Sequence, residues 1–145
     1  MLLDAKLDGA ILYGANLHNA LLQRASLQKA DLRVANLEGA NLTAANLRDA
    51  YLSSAKMGRA RLQQADFTQA ILTESDLRSA DLSKASFQGA VVRDADFAGS
   101  NLQNADLRGS LGLTARQVCS AANIGEIQLD DPLKSEVDIQ CGAHH

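Results

Sequence analysis

The apolar and polar positions of this chain repeat every five residues. From Ala5 to Ser110 every fifth residue is small; 19 of these 22 positions are Ala and three are Ser (Ser75, Ser100 and Ser110). Two residues after each small one comes an apolar one, and Leu2 opens this second series, which runs through Leu107. It also has 22 positions, of which 17 are Leu and the others Met57, Phe67, Phe87, Val92 and Phe97. No charged residue interrupts either series. A five-residue period excludes an amphipathic helix: at about 100° per residue, five residues overshoot a full turn by roughly 140°, and the leucines would scatter around the axis. Coiled-coil heptads fail for the same reason. Within each unit, Ala-x-Leu follows the period of two of an extended chain, so both side chains point to one side. The next two residues are polar or Gly and turn the chain. The pattern predicts a coil around a narrow axis, with Ala and Leu inside and successive coils about 4.8 Å apart, so that like residues form ladders.

The position before each Leu is Asp or Asn in 11 of the 22 units, as at Asn16, Asp31, Asn36 and Asp106. Short Asx side chains bond to nearby backbone and favour turns. Units such as Ala30-Asp31-Leu32-Arg33-Val34, Ala35-Asn36-Leu37-Glu38-Gly39 and Ala105-Asp106-Leu107-Arg108-Gly109 resemble the A(D/N)LXX motif of the pentapeptide-repeat family. The resemblance covers residues 1–110. It implies an all-β solenoid, a right-handed quadrilateral parallel β-helix with four units per coil, and hence about five and a half coils stacked over roughly 26 Å.

Regularity stops at Leu111-Gly112. Leu113 to Ala122 reads as a helix, with Thr114 as N-cap and Gln117 three residues on, as in a capping box. A weaker element follows around Pro132 to Val137. A solenoid needs its open end covered, so residues 111–145 are expected to form a short C-terminal α-helical cap and tail on the 1–110 repeat domain. At the other end Met1 to Asp4 already belong to the repeat. The first coil is then exposed, or another chain stacks on it, or a further N-terminal domain precedes it.

Charge sharpens this division. Residues 1–110 carry 12 acids and 12 bases, and residues 111–145 carry 5 acids and 2 bases, which accounts for the whole net charge of -3. A neutral rod has no field with which to recruit nucleic acid. No stretch approaches the apolar length of a membrane span, and the first residues lack a signal peptide's apolar run. A bacterial, cytoplasmic protein is expected, or a periplasmic or thylakoid-lumen one if an upstream signal has been removed.

Candidate chemistry is sparse. Cys119 and Cys141 are the only cysteines; they are two reduced thiols in a cytosolic protein, or a disulfide pinning the chain end in an oxidising compartment. No CxxC or Cys-His spacing suggests zinc. His18 stands alone on a corner, and His144 and His145 end the chain. No P-loop or Rossmann glycine pattern occurs. Catalytic residues, cofactors and metals are all expected to be absent, and the chain is not expected to be an enzyme.

With four units per coil, outward residues 20 apart align. One column, Ile11, Asp31, Tyr51, Ile71, Val91 and Leu111, is mostly apolar, with Tyr13 near its start. It is a set of chance hydrophobics, or it is covered by the chain's own tail, or it is a contact stripe for an unidentified protein partner or a second copy, as in a homodimer. Contiguous exposed apolar surface usually marks binding. A second cluster, Glu74, Asp76, Asp94 and Asp96, forms an acidic patch near Arg78 and Arg93: solvated surface, or a site for a cation or a basic peptide. The function expected is a non-catalytic protein-interaction or scaffold module. The alternative is a DNA-mimicking binder of DNA gyrase or topoisomerase, as in some proteins of the resembled family; such mimicry needs a continuous negative surface.

Overall fold

The structure, a computed structural model, describes residues 1–142; His144 and His145 lie outside them. Its β structure consists of single-residue parallel bridges, one per pentapeptide, each joining residue n to residue n+20, from Lys6↔Ser26 to Val91↔Leu111. Four units therefore make one coil. The Ala-x-Leu triplets do not extend into strands, because only the middle residue of each bridges to its neighbours before the chain turns.

The reason the pentapeptide suffices lies in its hydrogen bonds. In the unit around Leu32, Leu32 N–H donates to Tyr51 O of the next coil at 2.8 Å and Val34 N–H to Ser53 O at 3.1 Å. Asp31 N–H donates back to Ala10 O at 2.9 Å, and Ala35 N–H closes the turn onto Leu32 O at 3.0 Å. The fifth donor, Arg33 N–H, is taken by the Asp31 side chain at 3.2 Å. The same Asx bond recurs at Glu38, Thr43, Arg48, Thr68, Arg78, Ser83, Ala98, Gln103 and Arg108. It explains the Asx preference at the bridging position: there the side chain satisfies a donor that no neighbouring coil reaches.

The turn sets its own demand. Its second residue has positive φ in nearly every unit. Gly supplies this at positions such as Gly89 and Gly99, and ordinary residues such as Val34 (φ 61°) and Asp94 (φ 57°) adopt it elsewhere. A left-handed conformation is unfavourable for a branched side chain. It persists here because the coils above and below fix the turn.

Inside, the Leu and Ala series is buried from Leu22 onward. Larger residues are accommodated locally. Phe67 and Phe87 stack with centroids 4.8 Å apart, one coil spacing, and Phe97 meets Phe87 edge-on at 5.9 Å. Val92, between Phe87 and Phe97 in the same coil, is the only Val in the Leu series. Its smaller volume offsets theirs at constant packing density.

The tail departs from expectation in three ways. First, α1 spans Ala115–Cys119 rather than running to Ala122, although its capping box of Thr114 and Gln117 forms as expected. Second, the later element α2 spans Leu133–Cys141, starting one residue after Pro132 and passing well beyond Val137. Third, regularity does not end at Leu111. After α1 the chain rejoins the stack through the parallel bridges Asn101↔Asn123 and Asp106↔Gln128, so the register slips from 20 to 22 residues. α1 occupies the one side of this last coil that makes no bridge. Gln117 Nε2 ties it down by donating to Val92 O and Ala95 O, both at 2.9 Å. Gly112 permits the exit: it has φ +81°, and a Cβ there would stand 3.0 Å from Arg93 Cα. α1 and α2 share a small core of Ala115, Val118, Val137 and Cys141.

Two interior hydroxyls, on Ser75 and Ser100, are buried with no hydrogen-bond partner, unlike that of Ser110, which donates to Leu107 O. An unsatisfied buried hydroxyl costs about 1–3 kcal/mol. Ser100→Ala should therefore raise stability in chemical denaturation by about 1 kcal/mol. An unchanged or lower midpoint would show that the hydroxyl is satisfied.

Candidate functional site

The bridging residues project outward in four columns, and one of them carries the apolar series Ile11, Tyr51, Ile71, Val91 and Leu111, interrupted by Asp31. Apolar residues at this position forgo the Asx bond made elsewhere, so the column gives up a turn hydrogen bond in most of its coils. Its surface is uneven. Ile11 is 84% exposed, Tyr13 59%, Tyr51 46% and Leu111 55%, whereas Ile71 and Val91 are half-buried. α1 docks on Val92 and Ala95 around the corner rather than along this column.

The exposed residues lie at the two ends of the column, Leu111 at one and Ile11, Tyr13 and Tyr51 on the first three coils at the other. Arg33 forms a bidentate pair with Asp31 (2.8 and 2.7 Å), and its Cζ stands 5.3 Å from the centroid of the Tyr13 ring. Val34, half exposed, completes the cluster; it was not singled out from sequence, because its corner position carries no apolar pattern. The Arg33 guanidinium holds the Asp31 carboxyl below its usual value, and Asp31 raises Arg33 in return.

The four acids Glu74, Asp76, Asp94 and Asp96 do not converge. Asp76 and Asp96 bridge to each other on the next face, while Glu74 and Asp94 occupy second turn positions at the corner, with φ 59° and 57°. Arg78 binds Asp76 at 2.8 Å and reaches Asp96 at 3.8 Å. Arg93 forms no such pair with them. Asp94 and Asp96 line a cleft of about 400 Å³ against Thr114, Arg116 and Gln117 of the α1 segment. Among the described residues no group of three or more His, Cys, Asp or Glu could hold a metal ion.

Cys119, at the end of α1, and Cys141, at the end of α2, come together as a disulfide with Cα atoms 5.4 Å apart. Neither is a free thiol, which replaces the reduced-thiol alternative with the pinning one. No helix among the described residues is long and apolar enough to cross a membrane.

The most strongly shifted carboxylate lies on another face. Asp106 accepts from Arg108 at 2.8 Å and from Gln88 at 2.6 Å, and these bonds, the Arg108 side chain first, lower it from 3.8 to about 2. Its folded value is below its unfolded one. The stability it contributes is therefore complete above about pH 5 and is lost as pH falls through 4 towards 2. Asp106→Asn should flatten the fall in melting temperature over that window and leave the curve at lower pH unchanged. An identical pH profile in the variant would remove Asp106 from acid stability.

A family model of pentapeptide repeats matches the chain in eight copies over residues 2–39, 32–73 and 75–111. Among solved structures, a pentapeptide repeat protein from the thylakoid lumen of Arabidopsis thaliana is 30% identical, with 68% of this chain and 69% of that one covered and a TM-score of 0.66. A pentapeptide repeat protein from Nostoc PCC 7120 is 29% identical over 86% of this chain and 84% of that one, with a TM-score of 0.41. Full-length QnrB1, a plasmid-mediated fluoroquinolone resistance protein, is 19% identical over 97% of this chain and 86% of that one, with a TM-score of 0.40. No curated protein matches the chain.

Proposed function

The chain belongs to the pentapeptide-repeat family, and from that premise we propose that it is a non-catalytic interaction module: a right-handed quadrilateral β-helix that presents one rigid face to a protein partner. The observation that carries this reading is the Ile11, Tyr13, Arg33, Val34 and Tyr51 cluster. Tyr and Arg beside exposed aliphatic side chains have the composition of a binding hot spot, and Arg33 is pre-positioned there by Asp31 and Tyr13. Leu and Ala fill the axis, which leaves the interior no room for a substrate.

The mimicry of DNA is less favoured. Half of the rod's twelve acids are in ion pairs, Asp4 with Arg24, Asp31 with Arg33, Asp66 with Arg48, Asp76 and Asp96 with Arg78, and Asp106 with Arg108, and the region as a whole is neutral. A row of such pairs offers no continuous negative stripe. The link between Cys119 and Cys141 favours an oxidising compartment over the cytoplasm. Alkylation of the protein in freshly quenched, unreduced native extract should leave both cysteines unmodified; two modified thiols would restore the cytoplasmic reading.

For the interaction itself, the immobilised chain and an Ile11→Asp/Tyr51→Asp variant should be compared for proteins retained from native extract. Both side chains are exposed, so the variant should melt as the wild type does. A protein held by the wild type and lost by the folded variant is the expected result. Equal retention by both would exclude this face.

A further inference from the structure

The second tail helix is held to the molecule by little besides one covalent bond. α2 buries only Val137 and Cys141. Most of its other side chains are exposed, Ile139 at 84%. Its N-cap residue, Pro132, makes no side-chain cap bond, and an isolated helix of this length is marginal in water. The backbone bonds of the segment run within it, Lys134 N–H to Asp130 O at 2.9 Å and Glu136 N–H to Pro132 O at 3.1 Å. Among the described residues, the segment from Asp130 onward makes one hydrogen bond to the rod: the Asp130 carboxylate accepts from Gly109 N–H before the helix begins.

The helix lies over the apolar end of the rod. Ile124, Ile127 and Leu129 of the last coil pack against both the rod interior and the small core shared by α1 and α2. They stay half-buried, because α2 stands off from the coil: a cleft of about 400 Å³ runs between these three residues and Lys134, Val137 and Asp138 of the helix. α1 is fixed independently. Gln117 ties it to Val92 O and Ala95 O, and the chain just after it is joined to the stack by Gly99 N–H to Ser120 O at 3.0 Å and Ala122 N–H to Ser100 O at 2.8 Å. The bond between Cys119 and Cys141 thus fastens a loosely held helix to an anchored one.

We propose that α2 is a redox-controlled lid: the Cys119–Cys141 disulfide holds it down, and reduction by a dithiol reductant releases it and uncovers Ile124, Ile127 and Leu129. Cys119 is half-buried and Cys141 only 4% exposed, so the reductant's thiolate attacks Cys119 Sγ. The S–S bond breaks, a mixed disulfide forms, and Cys141 Sγ leaves as a thiolate and takes up a proton. The reductant's second thiol gives up its proton and attacks its own partner sulfur in the mixed disulfide, which frees Cys119 as a thiolate that is protonated in turn. Two electrons pass to the chain, which gains two thiols, and the reductant gains one disulfide. Cutting a cross-link that spans 22 residues restores the chain entropy it had removed. The exposed segment Asp130 to Pro132 is the hinge. The lid sits at the opposite end of the rod from the Tyr13 cluster and does not depend on that face.

The test is hydrogen–deuterium exchange of the full chain, oxidised and after dithiothreitol, read by mass spectrometry. Dithiothreitol should reduce the bond without denaturant. Amides of Leu133–Cys141 should then exchange about tenfold faster or more, while those of Ala115–Cys119 and of the repeat should change less than about twofold. Cys119→Ser/Cys141→Ser should exchange like the reduced chain with no reductant present, and reoxidation by diamide should restore slow exchange in the wild type. Fluorescence of the apolar probe anilinonaphthalene sulfonate should rise on reduction as the end of the rod is uncovered. The proposal is overturned if α2 exchanges no faster once the bond is cut, or if α1 and the last coil lose protection along with it. It is equally overturned if the bond resists dithiothreitol in the folded chain, if reoxidation does not restore protection, or if the probe's fluorescence is unchanged.

Discussion

The structure depends on how completely five residues account for their own backbone. In a unit such as Ala30 to Val34, the N–H groups donate to carbonyls of adjoining coils or of the preceding turn, and the one donor out of reach is met by the Asx side chain. Every pentapeptide makes the same bonds to the coils on either side, so the unit can be repeated without extended strands or helices. The narrow axis follows, because a turn after every three extended residues brings opposite sides close. The narrow axis in turn requires Ala at one inward position and tolerates Phe67, Phe87 and Phe97 only where they stack or a neighbour is small, as at Val92.

This self-sufficiency separates stability from surface. Outward side chains contribute little to the core, and exposed ion pairs such as Arg24 with Asp4 add little to stability. An outward position is therefore free to vary, and what stands there carries information. Replacing Asx with Ile, Tyr or Val along one column costs a hydrogen bond to the turn. Placing Gly at a corner without positive φ costs chain entropy. The two departures lie on different parts of the rod, one apolar and held by Arg33, the other a polar corner lined by Glu38, Arg59, Asp76 and Arg78.

Much of this was legible because it repeats. The inward series and the Asx role follow from a period that 22 units state without a break, and the 20-residue alignment from the family that this period resembles. The tail was harder, because it obeys two rules in turn. The capping box at Thr114 and Gln117 was readable from local chemistry, but the return of the chain to the stack at Asn123 and Gln128 was not. Inserting α1 changes the spacing to 22, and a period cannot be recognised from two units. The end of α2 was missed for a related reason: Val137 and Cys141 are its buried residues, and the contact that buries them, with α1, is tertiary.

The outward surface shows a different limit. Alignment at 20 residues correctly places Ile71 and Val91 in one column, but it cannot tell that they are half-buried while Ile11 and Tyr51 stand clear. Exposure on a flat ladder is set by the neighbouring side chains, a coil above and below and a corner to each side, and these vary even when the ladder does not. Glu74 and Asp94 illustrate the same point. They are two residues from Asp76 and Asp96 in sequence, yet a corner lies between, so four carboxylates that read as one cluster face two directions. In a repeat this regular, sequence spacing specifies the address of a side chain. What it meets there depends on the four addresses around it, and that is where recognition by this rod is decided.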